Sequence, residues 1–340
     1  MKVAVIGCGN ISRVHFRAIE QNPNLELIAA ADIKIDRALA AVKEHGGTAY
    51  ESIDALLKNE SPDCVHICTP HNLHTPMAVK VLENGVNVLI EKPCSVTLRQ
   101  LAKLREAQRI SGKAVGICFQ NRYNDCARYV KRVVESGEMG RVLSVRAFVT
   151  WDRGEDYYSD DWHGTLEQEC GGVLINQAIH TVDLMRFLGG DCSAVTGHIT
   201  NDHLKGVIEV EDTASMLLEY ENGGKGIFYG TTAFAGNAPV FIEIALEKGK
   251  LRMEGERLYM LDSDNKISEV GEAQEKEYVG KNYWGTGHSA LINDFYDCVM
   301  QGKPFAIDSF EGGEALKIVL GAYESSKTGS KVILKKGEMI

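Results

Sequence analysis

The chain has 340 residues, enough for about two domains at ~150 residues each. Its 44% apolar and 25% charged residues are those of a soluble globular protein, and no apolar run approaches the ~20 residues of a membrane span. A net charge of −10 argues against nucleic acid and anionic membranes as partners.

Met1–Gly7 does not read as a signal peptide, because its apolar stretch is short and glycines interrupt it at once. The nine cysteines are odd in number and irregularly spaced, and Cys64, Cys68 and Cys118 sit in apolar strand-like runs. They read as reduced, structural thiols of a cytoplasmic protein. No Cys-x-x-Cys pair occurs, and no metal site is expected.

Lys2–Ile6 is a short apolar strand, followed by the turn Gly7-Cys8-Gly9-Asn10-Ile11-Ser12 and then by an amphipathic helical pattern. Leu25–Ala31 is the next strand and ends at Asp32. Strand, glycine turn, helix, strand and acid over about 30 residues is the dinucleotide-binding βαβ layout. Gly7 allows the tight turn, Gly9 lets the backbone approach a pyrophosphate, and the helix start at Asn10 and Ile11 offers free N–H groups. Asp32 stands where an acid bonds the adenosine ribose, which favours NAD over NADP. Lys34 and Arg37 nearby leave some NADP use open.

The alternation continues with helices over Asp36–His45 and Ser52–Lys58. A buried strand over Asp63–Cys68 then runs into Thr69-Pro70. A helix over Pro76–Asn84, a strand over Val86–Ile90, a helix over Thr97–Ser111 and a strand over Lys113–Phe119 follow. Alternating strands and helices predict a doubly wound parallel sheet. Glu91-Lys92-Pro93 leaves the buried strand Val86–Ile90 at its carboxyl end, where open α/β sheets bind ligands. His66 alternates with apolar neighbours and reads as structural. For His74, helix capping and cofactor contact stay open.

The segment 151–169 is polar and aromatic, with Trp151, Arg153, Tyr157, Tyr158, Trp162 and His163. Two readings stay open: a loop packed by its own aromatics, or a surface for a polyhydroxylated ligand on which Trp162 stacks. A helix is expected over Val173–Leu188 after Gly172, with Asn176, His180 and Asp183 at i, i+4 and i+7 on one face. His180 is the acid–base candidate, since an imidazole's ordinary pKa near ~6.5 suits proton exchange at neutral pH. Asp183 either orients His180 or is a structural partner. Strand-like runs follow at Ala194–Thr200, Thr213–Tyr220, Gly226–Thr232, Phe241–Glu247 and Lys250–Glu254, with turns that make antiparallel neighbours. One face of that open sheet is left for water or another subunit, so a homodimer or homotetramer through it is expected. Helices over Asn282–Gln301 and Phe310–Lys327 close the pattern. His288 reads equally as a cap or a substrate contact.

With Gly7-Cys8-Gly9, Thr69-Pro70-x-x-x-His74, Glu91-Lys92-Pro93 and Gly171-Gly172…His180-x-x-Asp183 in this order, the chain resembles the Gfo/Idh/MocA oxidoreductases, the relatives of glucose–fructose oxidoreductase and inositol dehydrogenase. The resemblance spans essentially the whole chain. It implies an NAD-binding Rossmann domain over 1–122. It also implies a substrate-binding and oligomerisation α/β domain over 123–340, with an open, mostly antiparallel sheet and C-terminal helices packing back on the first domain. The implied activity is an NAD(P)-dependent dehydrogenase acting on CH–OH groups, with hydride transfer between nicotinamide and a secondary hydroxyl or ketone of a sugar, sugar derivative or cyclitol. Gly7, Gly9, Asn10, Ile11, Asp32, Thr69, Pro70, His74, Glu91 and Lys92 are the expected cofactor residues. Lys92, His180 and Asn176 are the expected catalytic set, and Trp162, Asn176, His180, Asp183 and His288 the substrate contacts. The family often carries Asp where Asn176 stands; an amide cannot exchange a proton but can fix a hydroxyl. A redox-neutral, NAD-dependent glycoside cleavage and a non-catalytic NAD-binding regulator are the alternative readings.

Overall fold

The computed structural model describes residues 1–270 and 287–334. In chain order the first stretch holds β1 (Lys2–Ile6), α1 (Ser12–Gln21), β2 (Glu26–Ala31), α2 (Ile35–His45), β3 (Thr48–Tyr50), α3 (Ile53–Asn59), β4 (Cys64–Ile67), α4 (His71–Glu83), β5 (Asn87–Ile90), α5 (Leu98–Ser111) and β6 (Val115–Ile117). Then come α6 (Asp125–Ser136), β7 (Val142–Thr150), a π-helical turn (Val173–Gln177), α7 (Ile179–Gly189), β8 (Cys192–Thr200), β9 (Thr213–Tyr220), β10 (Lys225–Thr231), β11 (Phe241–Leu246), β12 (Gly249–Glu254), β13 (Arg257–Leu261) and β14 (Ile267–Glu269). α8 (Gly287–Met300), α9 (Ser309–Thr328) and β15 (Val332–Ile333) close the chain; the helix start expected at 282 lies outside the described residues.

Two compact units result: 1–120 with the described residues 287–313, and 121–270 with 314–334. In the first, six strands pair in the order β3-β2-β1-β4-β5-β6, all parallel. The order reverses between β1 and β4, which is where a doubly wound sheet opens a crevice at its carboxyl edge. β4 is buried along its whole length and β5 nearly so, as strands covered on both faces must be. Local signals set the helix ends. Thr97 caps α5 by accepting from the Gln100 N–H at 3.1 Å, and Gly112 stops it at φ +63°. α8 also belongs to this unit: Phe295 lies against Gly116 of β6, and Asn293 accepts a 2.8 Å bond from Asn22 just after α1.

The second unit carries nine strands in the order β14-β13-β12-β11-β7-β10-β9-β8-β15. Every neighbouring pair is antiparallel except β7 with β10. α7 lies on one face of this sheet, where Gly189 packs against Val145 and Tyr220. α9 runs along the β8 edge, and the Ser325 hydroxyl accepts from the Gly197 N–H at 3.0 Å. Leu217, Ile227 and Tyr229 are exposed, and Leu217 stands directly opposite Ile227 across the β9–β10 pair.

The helix expected as one piece over Val173–Leu188 is two. The Ala178 N–H bonds the Val173 carbonyl at 2.8 Å, five residues back, before α7 begins. That turn breaks the 3.6-residue phase, so Asn176 does not share a simple helical face with His180 and Asp183. π turns of this kind concentrate at functional sites.

Candidate active site

The first unit builds a nucleotide-shaped edge. Gly7 follows β1 at φ +88°, and a Cβ there would lie 2.6 Å from the Cys68 carbonyl carbon and oxygen. Only glycine permits that approach of the first turn to the end of β4. Asp32 sits at the end of β2 with both carboxylate oxygens held by backbone: the Cys8 N–H donates at 2.8 Å and the Lys34 N–H at 2.8 Å. Each oxygen keeps a further lone pair, so an organised acceptor remains for a diol. α1 starts beside this turn at Ser12, with Ile11 as its N-cap and Asn10 just before it, so the free N–H groups of the helix start lie at the end of the turn. At the end of β4, Thr69 Oγ1 and Asn72 Oδ1 are buried with no hydrogen-bond partner among the described residues. Buried orphan polar atoms are rare, and these lie in the crevice where the sheet order reverses. Turn, acid and orphan atoms together fit a dinucleotide.

Glu91, Lys92 and Pro93 leave β5 next to this edge through a cis Lys92–Pro93 bond. His74, on α4, is buried between two carbonyls, with Nδ1 2.7 Å from the Pro93 oxygen and Nε2 2.8 Å from the Thr69 oxygen. Burial holds its pKa below the ordinary imidazole value, against the pull of the two carbonyls toward the protonated ring. The Thr75 hydroxyl adds a 3.0 Å bond to the Cys94 carbonyl. α4 thus ties the Thr69-Pro70 and Glu91–Pro93 segments together, and Lys92 projects from a clamped backbone.

Beneath Lys92 lies a buried polar chain with little trace in the sequence. Glu91 Oε1 is 3.0 Å from His15 Nε2, His15 Nδ1 is 2.9 Å from His66 Nδ1, and His66 Nε2 is 2.7 Å from the Tyr296 hydroxyl. His288 Nε2 lies 3.6 Å from the same Glu91 oxygen. Burial alone would raise the Glu91 pKa, but the hydrogen bond from His15 and the neighbouring His288 ring hold it well below the carboxylate norm. Burial holds His66 well below its ordinary value, so it is neutral. With Glu91 ionised and His66 neutral, an order in which Tyr296 donates to His66, His66 to His15 and His15 to Glu91 satisfies every link. His15, Glu91 and Cys118 are also of metal-ligating type, with donor atoms within 4.8 Å of one another. Both His15 nitrogens are already bonded within the chain of side chains, so the cluster reads as a hydrogen-bonded support for Glu91. His288, open in sequence between cap and substrate contact, has its Nε2 3.6 Å from this carboxylate.

The second unit carries the other residues. Gly172 opens the π turn, and a Cβ there would collide with the Glu211 carbonyl oxygen. The Glu211 carboxylate accepts from the Gly172 N–H at 2.8 Å, the Leu174 N–H at 2.9 Å and the Tyr323 hydroxyl at 2.9 Å. Burial raises its pKa, and the bonds offset part of that rise. Asn176, in this turn, donates through Nδ2 to Glu169, while Gln177 Nε2 reaches the Tyr157 hydroxyl at 3.3 Å. His180 follows on α7 and is partly exposed. Asp183, one turn on, is buried and gripped by Arg122, whose Nε and terminal nitrogen lie 2.7 and 2.6 Å from its two oxygens. That bidentate grip makes Asp183 an anchor of α7.

The aromatic segment 151–169 divides. Tyr158 packs with Ile208 and Val210 in a small buried cluster, and the Arg153 guanidinium stacks 4.8 Å over Trp151 and 5.4 Å over Tyr157. Trp162 is half-buried and stacks on His163 at 3.8 Å. Part of the segment is therefore its own core, and its end is pinned to the π turn through Glu169 and Tyr157.

Fold and edge define a Rossmann dinucleotide-binding protein with a second, open-sheet unit. Residues 1–119 match the family model described as an oxidoreductase family with an NAD-binding Rossmann fold, and residues 127–252 match the GFO/IDH/MocA C-terminal domain. The chain belongs to the Gfo/Idh/MocA oxidoreductases. It is 26% identical to D-glucoside 3-dehydrogenase of Escherichia coli (strain K12), over 98% of this chain and 97% of that protein. It is 22% identical to scyllo-inositol 2-dehydrogenase (NAD(+)) of Bacillus subtilis (strain 168), over 98% and 96%. Among solved structures, the WlbA dehydrogenase of Bordetella pertussis, in complex with NADH and UDP-GlcNAcA, superposes with a TM-score of 0.87 at 28% identity, covering 98% of each chain.

Proposed function

We propose that this protein transfers a hydride between NAD and a secondary hydroxyl or ketone of a sugar, sugar derivative or cyclitol. The observation that carries the reading is the arrangement at the carboxyl edge of the first sheet. The adjacent parallel strands β4 and β5 deliver Thr69 and Lys92 beside a turn that only Gly7 permits. The dinucleotide supplies the hydride acceptor when bound; the chain's residues do the rest. Asp32 accepts from the adenosine ribose, and the first-turn amides of α1 face the pyrophosphate. Lys92 binds the reacting oxygen and stabilises the negative charge that develops there. His180 takes the hydroxyl proton in oxidation and returns it in reduction, and Asn176 holds a neighbouring hydroxyl. The acceptor role of Asp32 favours NAD, and glucoside and inositol dehydrogenases among the relatives favour a polyol substrate.

We also assign the protein to the cytoplasm and to a homodimer or homotetramer. None of the nine cysteines is in a disulfide, no described helix is long and apolar enough to cross a membrane, and Leu217, Ile227 and Tyr229 form an exposed apolar patch on the open sheet. A panel of cyclitols, aldoses, uronic acids and nucleotide sugars, followed by NADH absorbance, tests the activity. Lys92→Met with undiminished turnover sinks the lysine role, and a pH–rate profile unmoved by His180→Asn sinks the histidine role.

A further inference from the structure

We infer that His15 is a positioning residue for Lys92: it holds the Glu91 carboxylate, and that carboxylate holds the Lys92 peptide. The inference rests on the reading of Lys92 as the group that binds the reacting oxygen, and it names what aims that lysine. Glu91 directly follows β5, and its own N–H bonds the Ile67 carbonyl of β4 at 3.0 Å. The next N–H, that of Lys92, donates to Glu91 Oε2 at 3.2 Å. The other oxygen, Oε1, meets His15 Nε2 at 3.0 Å. His15 lies on α1, which starts at the nucleotide turn, so one buried carboxylate joins that helix to the peptide of the lysine. The carboxylate stays ionised, because its pKa is held well below the ordinary value.

Among the described residues around Glu91, His15 is the strong donor aimed at Oε1. His288 Nε2 lies 3.6 Å from that oxygen, longer than a good hydrogen bond, and burial holds its ring below the ordinary imidazole value. His74 has its two ring nitrogens against the Pro93 and Thr69 carbonyls. Burial, and then the Glu91 charge, push the Cys68 and Cys118 thiols well above their ordinary value, so they stay protonated and donate weakly. His15 is itself fixed: its ring is fully buried, and Nδ1 lies 2.9 Å from His66 Nδ1, whose far nitrogen lies 2.7 Å from the Tyr296 hydroxyl. A ring held at one nitrogen directs the other, so β4 and α8 take part in aiming Nε2 at Glu91.

The two ring nitrogens are separable by substitution. A glutamine amide reaches about as far as Nε2 and an asparagine amide about as far as Nδ1. His15→Gln therefore keeps a donor for Glu91 and gives up His66, whereas His15→Asn keeps His66 and gives up Glu91. The test uses the full-length protein with these two variants and Glu91→Gln, which breaks the line at one of its two carboxylate bonds. Its first readout needs no substrate: lysines are reductively methylated with 13C-formaldehyde, and the Lys92 methyl NMR signal is assigned by its loss in Lys92→Met. Neither substitution at position 15 leaves a ring, so ring-current effects cancel between them. His15→Asn and Glu91→Gln are expected to displace the signal, and His15→Gln to leave it near its wild-type position. The second readout is turnover of whichever of D-glucose, methyl β-D-glucoside, D-glucuronate and myo-inositol the wild type oxidises fastest. His15→Asn and Glu91→Gln are expected to lower kcat roughly 10- to 100-fold, the effect of one lost hydrogen bond to a buried charge, and His15→Gln by less than about 3-fold, with NADH affinity unchanged in all three. A ring that only fills the core predicts equal losses in His15→Gln and His15→Asn. That result, the reverse order, or a loss of NADH affinity equal to the loss of turnover overturns the inference. If His15→Asn does not fold, an unmoved Lys92 signal in Glu91→Gln overturns it, and a moved signal supports it. A wild type that oxidises none of the four removes the dehydrogenase reading, and the methyl signal still decides the positioning.

Discussion

Replacing Glu91 by glutamine isolates the support beneath Lys92. The side chain is 6% exposed and receives a 3.0 Å bond from His15 and a 3.2 Å bond from the Lys92 N–H on its two oxygens. Glutamine matches the shape but has one acceptor end, so one of those two donors meets an NH2. A hydrogen bond to a buried charge contributes ~1.5–3 kcal/mol, and an unpaired buried donor costs a similar amount, so the expected loss is about 2–3 kcal/mol. Burial of the carboxylate works the other way, but its pKa is held well below the ordinary 4.5, so the fold favours the charged form on balance. A depressed carboxyl pKa contributes stability that is full above the unfolded value and is lost as pH falls through the folded one. The gap between wild type and Glu91→Gln should therefore be constant from neutral pH down to 4.5, and then close. Urea unfolding followed by circular dichroism between about pH 8 and about pH 2.5 measures it. Equal stability at neutral pH, or a gap that widens in acid, would refute the reasoning.

Gly172→Ala places a Cβ against the Glu211 carbonyl, so the π turn must shift; about 1–3 kcal/mol of stability should be lost, with Asn176 and His180 displaced and kcat reduced. Thermal melting and steady-state kinetics check both effects. Asp32→Ala removes the acceptor organised by the Cys8 and Lys34 amides; NAD affinity should fall roughly 10- to 100-fold while NADP loses much less, as fluorescence titration of the two reduced cofactors would show. Asp183→Asn leaves the buried Arg122 guanidinium without its bidentate partner, and unfolding free energy should drop by about 3–5 kcal/mol in denaturant titration.

What the sequence made legible was what periodicity and local chemistry encode. Buried runs, glycine stops and the Gly7–Asp32 spacing announce the parallel sheet and its nucleotide edge, and the turns before Lys225 and Gly249 announce antiparallel neighbours. The strands β13, β14 and β15 carried too little signal: Ile267–Glu269 is exposed throughout, and Val332–Ile333 is two residues long. The π turn was invisible because a helical reading assumes a constant phase. The site's supports were missed for another reason, since their partners are remote in sequence. His15 meets Glu91 across 76 residues, and His66 meets Tyr296 across 230. Asp183 stays open in sequence between orienting His180 and a structural partnership because Arg122, 61 residues away, bears no local mark of the pairing. Glu169 lay in a segment read for its aromatics, and only the fold places its carboxylate on Asn176.

The most direct test of the central claim follows the hydride itself. The wild-type protein is incubated with NAD and a polyol of the panel deuterated at each carbinol carbon, and the nicotinamide product is read by mass spectrometry. The account expects one deuterium on the reduced nicotinamide and a matching amount of ketone, with Lys92→Met abolishing both. Deuterium absent from the nicotinamide with every substrate, or glycoside cleavage without net reduced cofactor, would contradict it.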